Sequence, residues 1–123
     1  MQSMKEALVS GVRYRLVVDR RAGQSVAHAE RADTGDRFGI ECSGATEQEA
    51  LERLSRWLEW QSEHTAALEA LQRAEQAYHR TIAGSAFASP VEGPSPLETQ
   101  KESLDAVEAA RVRLDEVRAH KPD

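Results

Sequence analysis

Aromatic residues are scarce in this chain: two Trp, two Tyr and two Phe in 123 residues. A core must therefore rest on Leu, Val and Ala, and Trp57 and Trp60 become conspicuous. Cysteine is nearly missing. Cys42 stands alone, which excludes an intrachain disulfide and fits a reducing, cytoplasmic setting. No apolar run approaches the ~20 residues of a membrane span, and Met1–Ser10 lacks the apolar segment of a secretory signal. Glycine and proline are few, and neither occurs between Thr46 and Ala83.

Positive charge is also in deficit, with 16 Lys and Arg against 21 Asp and Glu. The imbalance is uneven. Residues 1–44 hold seven basic and six acidic side chains, 45–83 hold four and seven, and 84–123 hold five and eight. An acidic chain is repelled by phosphate backbones, so nucleic acid is disfavoured as a partner. Arg13, Arg15, Arg20 and Arg21 form the only local basic run, which reads as a solvated strand face and turn.

What is present points to an α+β domain. Met1 to Gly11 reads as a polar lead-in, with at most one helical turn over Met4–Val9. Val12, Tyr14, Leu16 and Val18 then alternate with mostly polar neighbours, the period of a half-buried strand. Arg20-Arg21-Ala22-Gly23 is a turn. A weaker strand follows over Gln24–Ala32, its inner face open between Val26/His28 and Ala27/Ala29. Phe38, Ile40 and Cys42 mark a third strand. The reading is a three-stranded antiparallel meander over 12–43.

Thr46 with Glu49 three residues later forms a capping box, opening a long helix over 46–83 that Gly84 should end. Such a helix would be roughly 55 Å long. It carries two apolar stripes. Leu51, Leu54 and Leu58 form the first and should cover the sheet. Trp57, Trp60, His64, Ala67, Leu71, Ala74 and Tyr78 form the second, with the alternating gaps of a heptad seam. Residues 84–95 form a loop. Ser95 caps a second helix over 96–119, with Pro96 at its first position and Leu104, Val107, Ala110, Leu114 and Val117 as its stripe. Two helices so joined form an antiparallel helical hairpin, and residues 1–123 read as a single domain.

The shorter second helix should meet only the later part of the first. Trp57, Trp60 and His64 would then lack a partner in their own chain, and large exposed apolar areas mark association surfaces. Trp57, Trp60, His64, Ala67, Leu71 and Tyr78 are therefore the candidate protein interface, with a homodimer the simplest assembly.

Chemistry is weakly signalled. His28, His64, His79 and His120 have no metal-site spacing with each other or with Cys42, so no metal is expected. Cys42 with His28 on the neighbouring strand is a nucleophile–base pair only if both face one cleft, and the strand pattern turns Cys42 inward. No glycine-rich phosphate loop occurs. The reading is a non-enzyme without cofactor or small-molecule substrate.

The stretch from Tyr14 to Trp60 resembles the HicB-like antitoxin domain, a small meander followed by a helix. Tyr14-Arg-Leu-Val-Val-Asp19, Phe38 to Cys42 and Gly44-Ala-Thr-Glu-Gln-Glu-Ala50 carry the resemblance. Two departures are plain. Cys42-Ser43-Gly44 is shifted from the family's Gly-Cys, and an acidic helical segment stands where a DNA-binding module usually follows. The resemblance implies a non-catalytic, dimeric, partner-binding protein and transfers no functional residue. The expected function is thus a non-enzymatic protein-binding module acting as a dimer through its helical surface: an antitoxin- or immunity-like inhibitor, or a chaperone, of a partner protein, a basic one among the candidates. The alternative is an assembly subunit of a phage or other particle that uses its helix pair as a connector.

Overall fold

The computed structural model describes residues 2–87 and 96–122. The chain is α+β: a four-stranded antiparallel sheet and two helices. The strands are β1 (Ser3–Val9), β2 (Val12–Arg21), β3 (Gln24–Arg31) and β4 (Arg37–Gly44), paired in the order β1-β2-β3-β4. The helices are α1 (Glu47–Phe87) and α2 (Pro96–Ala119). Two compact units result, residues 1–62 with 121–123, and residues 63–120.

The expected lead-in is a correction. Ser3–Val9 is a full strand, paired with β2 from Ser3↔Val18 to Val9↔Val12. The two-residue turn that makes this possible is Ser10-Gly11, with φ of 49° and 82°. Two successive positive φ values are the hairpin geometry that matches strand twist. Ala22-Gly23 joins β2 to β3 in the same way, with φ of 51° and 79°.

The first unit has one core. Tyr14, Leu16 and Val18 of β2 and Ala27 and Ala29 of β3 meet Ala50, Leu54, Trp57 and Leu58 of α1. Strand register settles the ambiguous face of β3: Ala27 and Ala29 point inward and are fully buried, while Val26 and His28 point outward. Small side chains there let the helix lie close. Replacing fully buried Leu54 by Ala should cost about 2–5 kcal/mol. The stripe on α1 also differs from the expected one. Ala50 belongs to it and Leu51 is only half-buried.

The strand–helix junction follows the capping logic. The Glu49 N–H donates to Thr46 Oγ1 at 3.1 Å. The Glu49 carboxylate accepts from the Ala45 N–H at 3.3 Å, one residue before the usual partner. Gly44 is buried, and a Cβ there would lie 2.8 Å from the Ala50 nitrogen. Arg53 donates to the Ser43 carbonyl at 2.8 Å and closes the corner.

α1 continues through Gly84 to Phe87 rather than ending at Gly84. A glycine inside a helix costs only about 1 kcal/mol relative to Ala, too little to stop a long helix. The rest of the expected loop, including the Ser95 cap, lies outside the described residues. In the second unit Ala67 of α1 and Val107, Leu114 and Val117 of α2 are buried. Leu104 is 41% exposed, and half-buried Ser103 takes the inward position instead. The Thr81 and Ser103 hydroxyls lie 3.2 Å apart, and Thr81 also donates to the Ala77 carbonyl.

Candidate protein-binding surface

The six residues expected at an interface divide by unit. Trp57 is 8% exposed and forms part of the sheet–helix core, its ring 6.3 Å from that of Phe38. Trp60 is half-buried, packs against the same core, and has the Lys121 ammonium 5.6 Å from its ring centroid. In the second unit His64 Nε2 accepts from Arg118 Nε at 3.4 Å. Ala67 is buried, and Leu71 and Tyr78 are half-buried. The premise that Trp57, Trp60 and His64 lack partners in their own chain is therefore corrected. Ser62 donates to Ser10 Oγ at 2.5 Å, so the β1–β2 hairpin reaches the part of α1 that follows Trp60.

Cys42 and His28 do not meet. Cys42 pairs with Ala27 on the inner face, and His28 lies on the outer one. Burial pushes the half-buried Cys42 thiol up, and Arg53 pulls it back only in part. That is the opposite of an activated thiolate. Among the described residues no group of three or more His, Cys, Asp and Glu is placed to hold a metal. No described helix is long and apolar enough to cross a membrane.

The outer sheet face is ordered by charge. Glu6, Arg15, Glu30 and Arg37 are successive cross-strand partners, one from each strand, alternating in sign across the sheet. None of the three cross-strand neighbours closes to an ion pair among the described residues, and Glu30 lies 3.6 Å from His28 instead, so the row favours this register only by longer-range attraction. Arg37 also donates to Glu41. That hydrogen bond, helped by the nearby Arg21, holds the Glu41 carboxyl below its ordinary range.

The two sheet edges differ. β4 is irregular: the pairing jumps between Ala27↔Cys42 and Ala29↔Phe38, leaving Gly39, Ile40 and Glu41 in a bulge. A bulge with flanking charges blunts an edge against further strands. β1 has no bulge, and its charges are Lys5 and Glu6 at its centre. It is regular over seven residues, and its outward Met4 and Leu8 are 65% and 68% exposed. On its inner side a groove of about 530 Å³ separates it from α1, lined by Lys5, Glu47, Gln48, Leu51, Glu52, Ser55, Arg56 and Glu59.

No protein-family model, curated protein or solved structure matches the chain. The reading of this surface accordingly stands on its geometry. The β1 edge was missed from sequence because β1 was. The signal was there, since Ser10-Gly11 is as good a two-residue turn as Ala22-Gly23.

Proposed function

We propose that the chain is a non-enzymatic protein-binding module, an inhibitor or chaperone of a partner protein, working in the cytoplasm. One observation carries this reading. The sheet blunts its β4 edge with a bulge and leaves β1 regular, its outer edge unpaired among the described residues, and bordered by a groove. Open edges invite aggregation and persist where they are used. A net charge of −5 suits a basic partner, because complementary charge speeds encounter. The likeness of Tyr14–Trp60 to an antitoxin domain agrees in kind. Within the same proposal the two helices form an antiparallel hairpin, since Thr81 pairs with Ser103 and His64 with Arg118, in opposite chain order.

A second reading, an assembly subunit that uses the helix pair as a connector, draws on Ile82, Leu97, Leu104 and Val112, which are 41–77% exposed. Affinity capture from the native host together with light scattering separates the two. A stoichiometric basic protein whose activity falls when the chain is added supports the inhibitor. A closed oligomer that retains no other protein overturns it in favour of assembly.

A further inference from the structure

We infer that the β1 edge is a docking site for an extended basic segment of a partner protein, which adds to the sheet as a fifth strand antiparallel to β1. The inference deepens the protein-binding reading and rests on it.

Strand and helix run side by side in step. Ser3, at the start of β1, lines a small hollow with Glu47, at the start of α1. Ser10, just after β1, bonds Ser62. Seven residues of strand at about 3.3 Å and fifteen of helix at about 1.5 Å both cover about 23 Å. The groove lies beside the middle of β1, where Lys5 lines it, while Ala7 and Val9 on the same side pack against the core.

The groove wall has a repeat. Glu47, Leu51, Ser55 and Glu59 line it at four-residue intervals, about 6 Å apart along a helix. Inward-pointing side chains of an added strand recur every two residues, about 6.7 Å apart. The two spacings match well enough for four successive inward positions to face the four wall residues. Their chemistry is then specified: a basic side chain at Glu59, a small one at Ser55, an apolar one on half-buried Leu51, and a basic one at Glu47. Two cations, Lys5 and Arg56, also line the groove, and Arg56 is paired with Glu52; among the described residues neither Glu47 nor Glu59 has an ion-pair partner. The outer face adds a further demand. Glu6 at the centre of β1 is exposed and has no ion-pair partner among the described residues, so a cation suits the residue opposite it. Its two outward neighbours meet exposed Leu8 and Met4.

The test uses the full chain and the blocked peptide Lys-Val-Ser-Arg-Val-Thr-Lys, with Lys-Lys-Arg-Val-Val-Ser-Thr as a control of equal charge. The first peptide should shift the backbone amides of Lys5–Leu8 and slow exchange at alternate ones. It should bind about tenfold more tightly than the control, and the double variant Glu47→Gln/Glu59→Gln should lose about tenfold, as for two exposed charge pairs. Equal binding of both peptides, or unmoved β1 amides, would overturn the site. So would β1 protection that grows with protein concentration alone, since a second copy would then occupy the edge. A host protein retained equally by the wild type and the double variant overturns the site and leaves the protein-binding reading standing. A chain that takes the first peptide and retains no host protein does the reverse.

Discussion

The six-membered ring of Trp57 fills the space that a side chain at Gly39 would need. A Cβ on Gly39 would collide with the ring edge, 2.6 Å from Cη2 and closer still to Cζ3, and φ at Gly39 is 82°. Two demands meet at one residue: a left-handed backbone for the bulge and no side chain under the indole. Gly39→Ala should therefore destabilise the fold by about 2–4 kcal/mol, combining conformational strain with overpacking. Urea unfolding would measure it, with a red shift of tryptophan emission as the indole is lifted. An unchanged midpoint would mean that the ring does not rest there.

Thr46→Ala should cost about 1 kcal/mol by leaving the Glu49 N–H without its side-chain acceptor. Glu49→Ala should cost a similar amount through the Ala45 N–H and the Arg53 pair at 3.0 Å. The double variant should lose less than the sum, because the two groups cap one turn. Thermal unfolding of the three variants checks the cycle.

The Glu41 carboxyl titrates below its ordinary value because Arg37 hydrogen-bonds to it. A carboxylate held low in the folded state adds stability above its unfolded pKa and loses it as pH falls through the folded value. Stability should therefore fall on acidification below about pH 4.5, and Arg37→Gln should flatten that part of the profile. Unfolding midpoints at several pH values between 3 and 6 would show it.

Cys42 has the opposite sign. Burial raises its pKa, so its contribution is present below the unfolded value and is lost as pH rises through the folded one. Cys42→Ala should reduce the loss of stability seen above about pH 8.5. Alkylation by iodoacetamide at pH 8 should run several-fold slower than for a free thiol and reach that rate on unfolding.

Much of this fold is legible in the sequence. The meander from Val12 to Cys42, the Thr46 cap and the start of α2 at Pro96 all follow from alternation, capping chemistry and ring geometry. The errors have physical causes. β1 was hidden because Lys5 and Glu6 sit at its centre, and an edge strand has little to bury. Trp57 was assigned to the wrong stripe because Ala50, fully buried, was too small to count as an anchor. With Ala50 and Leu54, Trp57 completes a regular i, i+4, i+7 line toward the sheet. Leu104 looked like the seam residue by hydrophobicity, yet spacing from Val107 and Ala110 favours Ser103. The groove was not legible at all, since it depends on how β1 and α1 run beside each other.

Ala27 and Ala29, both fully buried between the layers, hold the helix at its distance from the sheet with two methyl groups. The tolerance of β3 to substitution should accordingly resemble a comb. Gly, Ala and Ser would survive at 27 and 29, while Val26, His28 and Glu30, facing outward, would accept a wide range. A saturation library of that strand, scored for soluble yield, would trace the contact between the two layers without a single coordinate.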